Sequence, residues 1–178
     1  AIVERLKDTA LGFILIGPHE PSVIDGARAT GLPCVRIGEL PLLDRMDQVA
    51  SSDQESARAV AEYLLGLGHR RFVYVHGKPG YRGRIERHRT FVQVASATPG
   101  VIVRDMAFHA DDAPADFRQN FLALVREGFE PTAFFCGNDG VAVTVVSELI
   151  RLGLRVPQDA SVVGHADYAI ATQIAPQL

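Results

Sequence analysis

Cysteine is scarce: Cys34 and Cys136 are the two in the chain, far apart and each inside a short apolar run. That usage excludes a disulfide framework and leaves no close-spaced set of thiols for zinc. Isolated strand cysteines behave as small buried hydrophobes. Long apolar runs are lacking too. None approaches the ~20 residues that cross a bilayer, and no basic segment followed by an apolar one marks a secretion signal. Positive charge is not in excess: 18 Lys+Arg face 21 Asp+Glu, a formal net charge of -3. A protein that grips nucleic acid over its whole surface carries the opposite balance. Core material is abundant, at 47% of 178 residues, which excludes disorder as the main state. Ala1-Ile2-Val3-Glu4-Arg5-Leu6 reads as the interior of an amphipathic helix, so the chain is expected to begin inside a longer protein.

Two hydrophobic periods alternate. Gly12 to Ile16, Pro33 to Ile37, Phe72 to Val75, Ala133 to Cys136 and Ser161 to Gly164 are short, apolar and rich in β-branched or aromatic residues, with Val101-Ile102-Val103 a weaker example. Strands apolar on both sides belong to parallel sheets covered by helices. Between them, Ala57, Val60, Ala61, Leu64 and Leu65 form a helical stripe, opened by Ser52 and Glu55 as a capping box and stopped by Gly68. Phe91, Val92 and Ala95 mark a second helix over Ile85 to Ala95, and Phe117, Phe121, Leu124 and Val125 a third. Asp139 to Leu152 is a fourth, with Asp139 expected as N-cap and Gly153 as stop. The run Arg36 to Ala50 has no clear period and suits a surface loop or a crossing between lobes. Strand–helix alternation of this kind predicts an α/β fold with parallel sheets flanked by helices.

Ligands of open parallel sheets bind off the carboxyl ends of the strands, and here those ends run into polar, glycine-rich segments. They include His76 to Gly83, His109 to Asp112, Gly137 to Gly140 and Gly164 to Tyr168. The glycines at 77–83 fit neither G-x-x-x-x-G-K-[ST] nor G-x-G-x-x-G, so they announce no nucleotide phosphate site. The six histidines form no His-x-x-x-His pair, and no G-x-S-x-G elbow is present, so neither a zinc hydrolase nor an α/β-hydrolase has an anchor. Arg87 lies about a turn into its helix, where a guanidinium can clamp an anionic or hydroxyl group; the bland alternative is a solvated basic face. Tyr81 can stack on a ring or simply cover a loop, and Asn138 offers an amide that donates and accepts at the end of a strand.

Taken in order, these segments resemble the effector-binding core of the lactose-repressor/galactose-repressor (LacI/GalR) family of transcription factors. Gly31 to Val35 resembles G-I-P-V-V, Gly68 to Phe72 resembles G-H-R-R-I, and Arg87 to Phe91 resembles R-x-x-G-F with Thr90 in place of glycine. Asp53 to Ala57 resembles D-N-x-x-G-A with Gln54 for asparagine. Pro131-Thr132-Ala133 precedes Asn138-Asp139 as P-T-A precedes N-D, and Gly153 to Gly164 follows G-x-x-V-P-x-D-x-S-V-V-G.

The resemblance implies a periplasmic-binding-protein-like type I fold, with residues 1–51 part of an N-terminal lobe and 52–178 the C-terminal lobe. An effector would sit between the lobes. It implies Arg87 as the effector clamp and Asn138 as a ligand contact. The G-[FY]-D-D pattern stands here as Gly164-His165-Ala166-Asp167, which leaves His165 at the aromatic position and Asp167 as the surviving acid. Losing the first aspartate speaks against a simple neutral sugar and for a sugar acid or another acidic metabolite. By the same resemblance the chain is a cytoplasmic, non-enzymatic sensor without cofactor, metal or membrane contact. It would form a homodimer and reach operator DNA through a helix-turn-helix domain that is not among these residues. A transporter's solute-binding protein with the same fold is the alternative.

Overall fold

The computed structural model describes residues 2–17, 19–38, 46–76, 82–108 and 114–178. They fall into two compact units, one drawn from Ala1–Ser52 and Tyr81–Gly83, the other from Asp53–Gly80 and Arg84–Leu178. In the first, β1 (Phe13–Ile16), β2 (Cys34–Ile37) and β3 (Asp47–Val49) make a parallel sheet in the order β1-β2-β3. Helices α1 (Ile2–Leu6) and α2 (Pro21–Ala29) supply Val3, Val23, Ile24 and Ala27 to a small core with Phe13, Leu15 and Cys34. The strand β3 lies inside the stretch expected to lack regular structure. Helix α2 was not evident in the sequence either. It starts on Pro21, whose fixed φ suits a first helical turn. The register Ile16↔Ile37↔Val49 lines up a row of apolar side chains that stays outside this core, with Ile16 71% exposed.

The second unit holds β4 (Arg71–His76), β5 (Ile102–Ala107), β6 (Ala133–Cys136) and β7 (Ser161–Val163), all parallel, in the order β5-β4-β6-β7. Side chains alternate across a strand, and both faces of β4 and β6 are buried. Phe72, Tyr74, Ala133 and Phe135 pack with α3 (Asp53–Gly66) and α4 (Arg82–Ser96) through Ala57, Ala61, Leu64, Phe91 and Ala95. Val73, Val75, Phe134 and Cys136 pack on the other side with α5 (Pro114–Arg126) and α6 (Asp139–Arg151) through Phe117, Phe121, Val141, Val145 and Leu149. This is the helix-covered parallel sheet the apolar runs predicted. Gly153, at φ 84, terminates α6 in the left-handed region where a Cβ is disfavoured. One expectation needs correction: Asn138, not Asp139, caps α6. Asn138 is extended (φ -162) and its Oδ1 accepts from Val141 N at 2.9 Å, while Asp139 is already helical.

Candidate functional site

Among the described residues, Asp53, Arg87 and Asp139, three of the charged groups this unit buries, lie in the early turns of α3, α4 and α6 by the carboxyl ends of the strands, while Glu148 is buried near the other end of α6. Asp53 opens α3, where the partial positive charge of the helix N-terminus favours a carboxylate. Arg87, a turn and a half into α4, places Nε 2.9 Å from Asp53 Oδ1, and the two side chains are 7% and 5% exposed. His165 Nε2 stands 3.8 Å from the same oxygen. Charge holds the Arg87–Asp53 pair rather than an aligned hydrogen bond. Arg87 Nε, Arg87 Nη1 and Asp53 Oδ1 are buried with no hydrogen-bond partner, and so is the hydroxyl of Tyr74 on β4. Each such atom costs about 1–3 kcal/mol, so four of them in one unit call for a physical reason. Burial pushes the Tyr74 phenol up to about 12, against the lowering pull of Arg87. It remains an un-ionised donor.

The turn after β7 is tied to the start of α6. Asp139 N donates to His165 O at 3.1 Å, and Asp139 Oδ2 accepts from Tyr168 N at 2.7 Å. Gly164 permits this approach: a Cβ there would stand 3.2 Å from Asp139 Cγ and 3.3 Å from its Cα, and closer still to Oδ1. Ala166 (φ 96) and Asp167 (φ 53) are held in left-handed backbone that non-glycine residues rarely adopt. Strain of that kind persists where surrounding bonds over-determine it, and the Asp139 bonds do so here.

The sequence-predicted residues are thus distributed unevenly. Arg87 and His165 meet at Asp53, and Asn138 is one residue from the Asp139–His165 link. The Asn138 side-chain Oδ1 is spent on the helix cap, accepting from Val141 N. Asp167 is exposed at the strained turn. Tyr81 lies outside the described residues, as do Lys78, His109, Asp111 and Asp112. Asp53 entered the sequence reading only as the first residue of the D-N-x-x-G-A resemblance, with no site role, and Tyr74 only as a strand residue. Their burial against Arg87 and α4 is a tertiary property with no local signal.

A second titratable cluster sits on the same unit. His88 Nε2 is 2.8 Å and His76 Nε2 3.4 Å from Asp105 Oδ1, and these three are the described residues with metal-ligand spacing. Burial lowers the His76 pKa, as does the neighbouring His88, while Asp105 opposes both. The Cys136 thiol is pushed up by full burial, with Asp139 adding to the effect, which leaves it inert. At the amino ends of the strands, a hollow of about 390 Å³ is lined by Arg71, Phe121, Thr132 and Leu154 among others. It is remote from Arg87 and gathers none of the buried unpaired atoms.

Comparison with known proteins places this arrangement. The model of the periplasmic binding protein-like domain family matches residues 61–178. A probable HTH-type transcriptional repressor, ExuR of Bacillus subtilis, is 28% identical over 173 residues, 94% of this chain and 51% of its own length. The HTH-type transcriptional repressor PurR of Vibrio vulnificus is 28% identical over 148 residues, 78% of this chain and 41% of its length. The chain therefore spans about half the length of the curated relatives it matches. A LacI family transcriptional regulator from Enterococcus faecalis, solved with bound ribose, superposes with a TM-score of 0.75 at 18% identity, covering 99% of this chain and 64% of that one. The chain belongs to the periplasmic binding protein-like domain family.

Proposed function

We propose that this chain is the effector-sensing part of a LacI-type transcriptional repressor, binding a small polar, hydroxyl-bearing metabolite at the carboxyl ends of β4, β6 and β7. The observation that carries the reading is the buried Arg87–Asp53 ion pair, with Arg87 Nη1, Asp53 Oδ1 and Tyr74 OH left without hydrogen-bond partners. A hydroxyl group both donates and accepts, so one or two on a ligand would satisfy the carboxylate and the guanidinium together. Arg87 is assigned the clamp, His165 and Asn138 the flanking contacts, and Asp167 and Tyr81 the outer edge of the site. Asp53 neutralises Arg87, and this favours a polyol or hydroxy acid over a purely anionic ligand.

The repressor names of the relatives and the ribose in one structural neighbour support this assignment. In the full-length protein, a cytoplasmic homodimer, differential affinity for one arrangement of the core would shift the population that engages operator DNA. The chain acts by binding and has no turnover. Among the described residues no helix is long and apolar enough to cross a membrane.

The test is a melting-temperature screen of ribose, other pentoses and hexoses, sugar acids, purines and nucleosides. A cognate ligand at 100 times its Kd stabilises by about 2.7 kcal/mol, and Arg87→Met should abolish that gain. Absence of any shift across the whole set refutes the reading.

A further inference from the structure

We propose that His76, His88 and Asp105 form a binding site for a divalent transition-metal ion of the Zn²⁺ type, separate from the Arg87–Asp53 site. Three elements converge to make it. Period-two alternation puts Tyr74 and His76 on the face of β4 that looks toward α4, and the register Tyr74↔Asp105 puts Asp105 on the same face of β5. On α4, His88 lies three residues before Phe91, so one helix face packs Phe91 against Phe72 and His88 against Tyr74, at 5.7 and 4.8 Å between ring centroids. The two imidazoles then stand 4.6 Å apart and aim Nε2 at one carboxylate oxygen.

That convergence suits a metal better than a proton. One carboxylate oxygen shared by two imidazole nitrogens can take an N–H from each only if both rings present that tautomer, with their positive edges crowded together. A cation at the centre accepts a lone pair from all three groups. With Zn–N and Zn–O bonds of about 2.0–2.2 Å, adjacent ligand atoms of a tetrahedron lie about 3.3 Å apart. The His76–Asp105 separation of 3.4 Å already matches, and the 2.8 Å His88–Asp105 separation needs to open by roughly half an ångström. All three ligand atoms lie within 4.8 Å of one another. Two imidazoles with one carboxylate select Zn²⁺ and its first-row neighbours over Mg²⁺ or Ca²⁺, which take oxygen. The side chains are 33%, 27% and 55% exposed, so water can complete the coordination. A bound ion would pin α4 to β4 and β5, next to Arg87 in the chain.

The experiment titrates the tag-free, EDTA-treated protein with Zn²⁺ by calorimetry and with Co²⁺ by visible absorption. The variants His76→Gln, His88→Gln and Asp105→Asn go through the same titrations. The expected result is one ion per chain with a Kd of roughly micromolar order, weakened at least about tenfold in each variant. A Co²⁺ d–d spectrum of low-symmetry, four- or five-coordinate type should appear with it. No stoichiometric binding below about millimolar ion, or binding equally tight in all three variants, overturns the proposal. Should a variant lose its far-UV circular dichroism, imidazole NMR of the unmodified protein decides. Zn²⁺ must shift His76 and His88 before the other four histidines, and a uniform or different response refutes the site. None of these readouts depends on the effector.

Discussion

Replacing Asp53 by alanine strips the Arg87 guanidinium of its counter-charge while leaving it buried. Breaking a buried ion pair from one side costs about 3–5 kcal/mol, because the surviving charge can neither return to water nor find a partner. The lower end applies here, since no aligned hydrogen bond is lost with the charge; about 3 kcal/mol is expected for Asp53→Ala. Arg87→Leu strands the carboxylate instead, with His165 as a weaker neighbour at 3.8 Å, and costs about 2–3 kcal/mol. The double variant buries no charge and loses only packing, about 1–2 kcal/mol. The cycle should therefore show a coupling of about 4 kcal/mol. The chain has no tryptophan, so urea unfolding is followed by far-UV circular dichroism. With a slope of about 1–3 kcal/mol/M, each single variant should lower the midpoint by about 1 M or more. Single costs below about 1 kcal/mol that add within about 0.5 kcal/mol would mean that the two groups do not depend on each other.

Glu148 reverses the asymmetry: it is fully buried while its partners Arg118 and Arg151, at 2.7 and 2.9 Å, are 48% and 66% exposed. Arg118→Ala should cost about 2–3 kcal/mol and Glu148→Met about 1 kcal/mol or less in the same urea assay, and the opposite ranking would refute the desolvation account. His69, whose imidazole is lowered by burial, bridges Thr132 Oγ1 (2.9 Å) and Ser161 Oγ (3.1 Å). The unfolded chain then binds more protons than the folded one, so this contribution is whole above about pH 6.5 and falls as pH drops below it. His69→Gln should flatten the decline between pH 7 and 5, and an unchanged slope would contradict the sign. Gly164→Ala should cost about 1–3 kcal/mol by overpacking against Asp139, read as a lowered melting temperature. Asn138→Ala should cost about 1 kcal/mol through the lost cap, while Asn138→Asp should keep stability. If ligand affinity follows the amide rather than the cap, both variants lose it.

The second unit was legible because its code is redundant. Phe72 to Val75 and Ala133 to Cys136 are apolar at every position, which only a strand covered on both faces can use. The stripe Ala57, Ala61, Leu64 and the stop at Gly153 fix their helices from one face and one end. Where the code thins, the reading failed. Asp47-Gln48-Val49 is a three-residue edge strand with an exposed, partly polar sequence, and its pairing with β2 comes from the partner rather than from itself. Helix α2 contains Gly26 and only a short apolar stripe, so its burial against Phe13 and Leu15 decides it. Arg87 was visible as a site residue through resemblance, whereas Asp53 entered only as the first residue of a matching motif, because its burial against Arg87 leaves no local signal. The His76–His88–Asp105 cluster depends on a parallel register, which carries no local trace.

The buried unpaired atoms also constrain what the proposed ligand must bring. Asp139 spends one carboxylate oxygen on Tyr168 N, and Asn138 spends its oxygen on Val141 N. The position where the family pattern has its first aspartate is Ala166, exposed and at φ 96. Acceptors are therefore few, and Asp53 Oδ1 is the buried carboxylate oxygen still in need of a partner. Donors are more numerous: Arg87 Nε, Arg87 Nη1 and an un-ionised Tyr74 hydroxyl. A ligand that matches this inventory offers more acceptors than donors, yet at least one hydroxyl for Asp53. A hydroxy acid or a keto sugar meets that condition, and a polyamine or a simple amine fails it because it would leave the guanidinium unpaired and add a like charge beside it. Ranked affinities of a sugar, its aldonic acid and its amino derivative, on one carbon skeleton, separate these cases. The amino derivative must bind worst, since its ammonium supplies no acceptor to Arg87 and repels it across a desolvated site.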